Sequence, residues 1–183
     1  MKKFKVPSKE EVSADNQVIF DKLGKAIGFV PNLYATITHS EHGLEKYLAF
    51  QNAKTSLSNK EKEAVNLVVS EVNGCQYCLS AHTAVGKMNG FSEEEILDLR
   101  SGKSKHTKLN ALVALAKDIT EKRGRISDGY LDDFYSAGYE DGNLVDLVLQ
   151  ISDKTAMNLL HNLTQIPIDF PLAQPLELKA TVS

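Results

Sequence analysis

The chain has 183 residues, 42% of them hydrophobic and 25% charged, with a formal net charge of −3. That length suits one ordinary domain with a sizeable core, residues 1–183, and the weak negative charge excludes an electrostatic case for nucleic acid. No run reaches the length of a transmembrane helix, and Met1-Lys2-Lys3-Phe4-Lys5-Val6-Pro7 lacks the apolar stretch of a signal peptide, so no membrane contact is expected and the expected location is the cytoplasm.

In chain order, residues 1–14 read as an N-terminal arm, because Pro7 and Ser8 oppose regular structure. Val18, Ile19, Leu23 and Ile27 have helical spacing and stop at Gly28. Pro31 suits the first turn of a second helix carrying Leu33, Ile37, Leu44 and Leu48, with Gly43 as a weak point. Ser58 and Glu61 form a capping box that opens a third helix, and Ala64, Val65, Leu67, Val68, Val69 and Val72 make most of its circumference apolar. Such a helix belongs at the centre of the molecule. Glu63, Asn66 and Ser70 form a narrow polar stripe on it. Asn73-Gly74 ends it, and a new helix runs from Cys75 to Met88 before Asn89-Gly90.

A second capping box, Ser92 with Glu95, starts a short helix to Arg100, and the polar connector that follows includes Lys103, Lys105 and Lys108. Helices over Leu109–Ile119 and Ser127–Ala137 come next, and Asp141 or Gly142 opens a last one with Leu144, Val145, Leu147, Val148, Ile151, Met157, Leu159 and Leu160. Three prolines mark residues 163–183 as an extended C-terminal tail. No segment reads as a sheet. The expectation is an all-α, compact bundle of about seven or eight helices.

An internal echo suggests two similar helical units. Gly90-Phe91-Ser92-Glu93-Glu94-Glu95-Ile96-Leu97-Asp98-Leu99 resembles the stretch from Gly138 to Leu147, at an offset of 48 residues. In that register Glu63 falls on Ala111, and Cys75, Cys78 and His82 fall on Arg123, Ile126 and Tyr130.

The chemistry concentrates in Asn73-Gly74-Cys75-Gln76-Tyr77-Cys78-Leu79-Ser80-Ala81-His82, which holds both cysteines of the chain. Residues three, four and seven apart share a helix face, so Cys75, Cys78 and His82 form one stripe. A thiol at the start of a helix is drawn toward thiolate by the dipole and free N–H groups, and a nearby imidazole can exchange its proton. The dipole alone favours Cys75 as nucleophile. Three other readings compete. Two cysteines can pack as small hydrophobes. Cys75, Cys78, His82 and a carboxylate could hold a metal, although a structural zinc site normally draws on paired modules. A thioredoxin-like fold requires a βαβ pattern that is missing from the sequence. Glu63 and Glu71 are the candidate carboxylates. His39, His42, His106 and His161 read as surface or core residues, since none sits in a ligand-spaced cluster.

Glu63, followed by Asn73-Gly74-Cys75-x-Tyr77-Cys78-x-x-x-His82, resembles the alkylhydroperoxidase D-like branch of the carboxymuconolactone decarboxylase family. The resemblance covers Pro31 to His82. Ile166-Pro167-Ile168-Asp169-Phe170-Pro171 is similar to the tail of peroxidase-related members of that branch. The resemblance implies an all-helical trimer or hexamer that reduces peroxides through a redox-active disulfide, with no metal or organic cofactor and with an external dithiol as reductant. It implies that Cys78 is the peroxidatic thiol, Cys75 the resolving one, and Glu63 with His82 the proton relay. Tyr77 stands where some peroxidases of the branch have histidine; an unperturbed tyrosine, with a pKa of about 10, relays protons less readily at neutral pH. The alternatives are a disulfide reductase or redox sensor without peroxide turnover, a lactone decarboxylase, whose chemistry needs no cysteine pair, and a non-catalytic metal-binding helical oligomer.

Overall fold

A computed structural model describes residues 4–176; the first three residues of the arm and residues 177–183 of the tail lie outside the described part. Among the described residues there are nine α-helices and no strand: α1 (Ala14–Ile27), α2 (Asn32–Ile37), α3 (Gly43–Gln51), α4 (Asn59–Val72), α5 (Gln76–Met88), α6 (Glu93–Arg100), α7 (Thr107–Lys122), α8 (Tyr130–Ser136) and α9 (Asp141–Thr164). None of them is long and apolar enough to cross a membrane.

The central helix is α4, as its composition predicts. It packs against α5, α6, α7 and α9, and Ala64, Val65, Leu67, Val68 and Val69 are completely buried. Its start is set by the expected capping box: Ser58 N donates to Glu61 Oε2 at 2.8 Å and Glu61 N donates to Ser58 Oγ at 3.3 Å. The Ser92–Glu95 pair does the same for α6, at 2.7 and 3.2 Å. Such caps are each worth about 1 kcal/mol. The main core runs from α4 through Phe91, Ile96 and Leu99 to Leu112, Leu115, Phe134 and Leu147. A separate core joins Leu33, Cys75, Tyr77, Cys78, Met157 and Ile166, so the two cysteines sit where α2, α5, α9 and the tail meet.

Several boundaries differ from the sequence reading, and α7 extends beyond Leu109–Ile119 at both ends. The single helix expected from Pro31 is two, which accounts for the extra element. After Ile37 the chain tightens into i→i−3 bonds, His39 N to Thr36 O and Ser40 N to Ile37 O, and Thr38 Oγ1 donates back to Ala35 O at 2.6 Å. Gly43 is the joint rather than a weak point: a Cβ there would lie 2.9 Å from Ser40 Cβ and 3.0 Å from Ile37 Cγ2. Helix α8 starts at Tyr130, not Ser127, because Asp118 accepts Ser127 N at 2.6 Å and Ser127 Oγ at 3.1 Å and holds that residue outside the helix. Cys75 is the N-cap of α5 and not a residue of its first turn (φ −91°, ψ 95°). Finally, α9 continues to Thr164, and only then does the extended tail begin.

The internal echo is present in the structure. Helices α4 and α7 begin 48 residues apart, as do α6 and α9, and α5 and α8 end at equivalent positions. Gly90 and Gly138 both turn with positive φ, at 85° and 87°. Lys60 lies over the Phe91 ring at 5.3 Å, and its counterpart Lys108 lies over Tyr139 at 4.5 Å.

Candidate active site

The turn Asn73-Gly74 (Gly74 φ 63°) reverses the chain between α4 and α5 and leaves Cys75 at the head of α5. The sulfurs of Cys75 and Cys78 are both free thiols and lie 2.7 Å apart, beyond the covalent S–S distance of about 2.05 Å and within hydrogen-bond reach. Either sulfur can donate, so their surroundings decide which holds the charge. Cys75 Sγ accepts the Cys78 backbone N–H at 3.3 Å, at the positive end of α5. Its pKa is lowered to about 5: the Cys78 thiol donates to it, and the His161 imidazole and the Cys78 N–H add to this against the cost of burial. The Cys78 thiol is pushed up, first by donating to Cys75 and then by burial, while the Lys154 ammonium and the Asn158 amide oppose the rise. Both shifts favour the charge on Cys75 and the proton on Cys78. This agrees with the dipole argument.

Access runs the other way. Cys75 is fully enclosed, whereas Cys78 lines a cavity of about 450 Å³. The cavity wall is aliphatic and aromatic, with Phe29, Leu33, Tyr34, Tyr47, Val85, Met157 and Phe170, and His82 opens onto it one turn beyond Cys78. His82 Nδ1 and Glu63 Oε1 are 2.7 Å apart, with Glu63 almost fully buried. Asn66 Nδ2 donates to Glu63 Oε2 at 3.2 Å and Gln150 Nε2 to Asn66 Oδ1 at 2.8 Å, so the carboxylate is anchored. With Nδ1–H donated to Glu63, the other ring nitrogen of His82 is the one left for proton exchange. Glu71 plays no part here, because Arg100 Nε donates to it at 2.7 Å and Arg100 Nη1 to the tail at Gln174 O, also at 2.7 Å.

Tyr77 shares the cavity, but its hydroxyl points elsewhere. It accepts Leu33 N at 3.1 Å, and burial together with neighbouring Asp169 raises its pKa, so it stays protonated and ties α5 to α2. The tail motif completes the wall. Asp169 Oδ2 accepts Asn32 N at 2.7 Å at the start of α2, and Phe170 packs edge-on to Tyr77 at 5.6 Å.

Sequence reading missed the contribution of α9. Lys154, Met157, Asn158 and His161 are spaced three, four and seven apart and are all buried on the face toward the dithiol. Val145, Val148 and Leu159, apolar residues of the same helix, are exposed instead. The available signal was a polar stripe at helical spacing inside a helix that otherwise reads as apolar. Lys154 is 3% exposed, and its only carboxylate neighbour among the described residues is Asp153, at 4.0 Å. His39, His42 and His106 lie away from this site, whereas His161 is buried beside Cys75. Among the described residues no three His, Cys, Asp or Glu side chains converge closely enough to hold a metal ion.

Residues 41–104, which contain Glu63, both cysteines and His82, match the model of the carboxymuconolactone decarboxylase family. No curated protein sequence matches the chain. Among solved structures, the alkylhydroperoxidase AhpD core, a peroxidase-related protein from Ralstonia eutropha JMP134, superimposes with a TM-score of 0.82 at 17% identity, covering 91% of this chain and 92% of that one. A peroxidase-related protein from Silicibacter sp. TM1040 gives 0.77 at 18% identity, covering 93% and 90%. The debrominase Bmp8, in complex with 2,3,4-tribromopyrrole, gives 0.76 at 13% identity, covering 92% of each chain. At these identities the likeness is one of fold.

Proposed function

We propose that this chain, whose residues 41–104 match the carboxymuconolactone decarboxylase family, is a thiol-dependent peroxidase acting on organic hydroperoxides. The observation that carries this reading is a reduced dithiol with one sulfur, Cys78, on the wall of an apolar cavity that it shares with a carboxylate-anchored histidine. A cavity of about 450 Å³ with aromatic walls favours a bulky organic group over hydrogen peroxide alone.

When the peroxide enters, His82 takes the Cys78 proton and Glu63 stabilises the imidazolium. The Cys78 thiolate attacks the terminal oxygen of RO–OH. An S–O bond forms, the O–O bond breaks, and the alkoxide leaves, taking the His82 proton to become an alcohol. The Lys154 ammonium on the same wall favours both anions, the thiolate and the alkoxide. The Cys75 thiolate then attacks the Cys78 sulfenic sulfur. The S–S bond forms, the S–O bond breaks, and hydroxide leaves and is protonated to water. The dithiol has given two electrons to the O–O bond. An external dithiol restores it by exchange through Cys78, the sulfur that faces the cavity. Tyr77 shapes the wall and does not carry a proton. No metal or organic cofactor takes part, and the reducing cytoplasm is where such a pair would cycle.

Val145, Val148 and Leu149 on α9 leave an exposed apolar patch, which supports association of copies into the trimer or hexamer that the family resemblance implies. The debrominase fold makes a halogenated aromatic the second substrate class to try, because the cavity wall here carries aromatic rings. The deciding experiment is intact mass and thiol count after about one equivalent of cumene hydroperoxide is added to the reduced, metal-free protein. Loss of both thiols with formation of an internal disulfide is expected, and Cys75→Ser should stop at sulfenic acid. Survival of both thiols in excess peroxide overturns the reading.

A further inference from the structure

His161 lies on α9 one turn beyond Met157, and only 4% of it is exposed. Its Nε2 is 3.2 Å from the Ile166 carbonyl oxygen, which can only accept, so Nε2 carries the hydrogen. In the neutral ring Nδ1 is then a bare base. That atom is buried and has no hydrogen-bond partner among the described residues, an arrangement that proteins rarely leave without a purpose. Cys75 lies in the same core as Met157, one turn before His161 on α9, and this imidazole favours its thiolate. Ile166, which fixes the ring, belongs to the same core cluster as Cys75 and begins the tail motif that ends at Pro171. The Tyr77 ring, 5.1 Å away, covers the imidazole.

We propose that His161 is a catalytic base dedicated to Cys75, so that the dithiol has two proton acceptors on opposite sides: Glu63-held His82 toward the cavity for Cys78, and tail-held His161 in the interior for Cys75. The proposal rests on the dithiol reading above. His161 takes the Cys75 proton, and the resulting thiolate–imidazolium pair is what attacks the Cys78 sulfenic acid. Once the disulfide has formed, the counter-charge is gone and the imidazolium releases its proton to solvent, where the departing hydroxide takes one up. On reduction the sequence reverses. The incoming thiolate attacks Cys78, the S–S bond breaks, Cys75 leaves as thiolate, and His161 is protonated again. The other ionisable groups around the pair are Tyr77 and Cys78 on α5, Lys154 and Asp153 on α9, and Asp169 on the tail. Tyr77 and Cys78 are both pushed toward their neutral forms, so neither competes for the Cys75 proton.

Two measurements test this. In Cys78→Ser, Cys75 is the remaining thiol, and its ultraviolet thiolate absorbance is titrated without any peroxide. The serine hydroxyl can still donate to Cys75, so the midpoint is expected below the free-thiol value of about 8.5, and in Cys78→Ser/His161→Gln it should climb toward that value, with at least a tenfold loss of thiolate at neutral pH. An unchanged midpoint overturns the proposal. In case the double variant does not fold, the imidazole nitrogens of His161 are read by NMR in the unaltered protein. Imidazolium in the reduced protein at pH 7 and a neutral, Nε2-protonated ring in the disulfide form are expected; a neutral ring in both overturns it. Neither readout uses peroxide, so this idea can fail while peroxide reduction stands, and the converse also holds.

Discussion

The two halves of the repeat, α4–α5–α6 and α7–α8–α9, share starting points, turns and buried aromatic rings, yet only the first carries chemistry. The difference lies at one place. In the first half a two-residue turn leads straight into α5, so a helix N-terminus points at Cys75 and the next turns carry Cys78 and His82. In the second half the equivalent residues, Arg123 to Gly129, stay outside any helix, and α8 begins only at Tyr130. Without that first turn there is no aligned row of N–H groups to favour an anion, whatever side chains stand there. The second half instead lengthens α9 to 24 residues, and this extra length supplies Lys154, Asn158 and His161 to the dithiol of the first. One copy holds the dithiol and the other supplies part of its surroundings.

The largest test of that division is Cys78→Ser, which should lower peroxide turnover at least about a thousandfold, because no other thiol faces the cavity. Measurable turnover through Cys75 alone would break the assignment. Glu63→Gln should lower the rate of disulfide formation by roughly a hundredfold, read by stopped-flow thiol loss, since it leaves His82 without a carboxylate to hold its charge. The stability comparison is more even. Leu67→Ala in α4 and Leu115→Ala in α7, equivalent and both fully buried, should each cost about 2–5 kcal/mol in urea unfolding, showing that the halves share the core equally.

The smallest effect is in pH. A thiol lowered to about 5 stabilises the fold fully above its unfolded value of about 8.5 and loses that contribution as pH falls toward 5. Cys78, pushed the other way, costs stability once pH exceeds the unfolded value. The advantage of the reduced protein over Cys75→Ala should therefore grow between pH 5 and 8, by on the order of 1–3 kcal/mol, in denaturant midpoints measured under reducing conditions. A pH-independent difference would mean that Cys75 is not the ionised partner.

The sequence by itself determined the helical class, the central place of α4, the two capping boxes, the repeat register and the stripe of Cys75, Cys78 and His82. All of these are local: hydrophobic period, cap chemistry and turn residues act within a few positions of each other. Only the tertiary structure decided between Glu63 and Glu71, because Arg100 has to arrive from α6 to claim the latter. It also decided that Cys75 is enclosed while Cys78 faces a cavity, that the Tyr77 hydroxyl is tied to Leu33 N, and that α9 turns its polar stripe inward and leaves Val145 and Val148 outside. Burial, access and the identity of a partner distant in the chain depend on how helices pack, and helical period shows which residues share a face without showing what that face will meet.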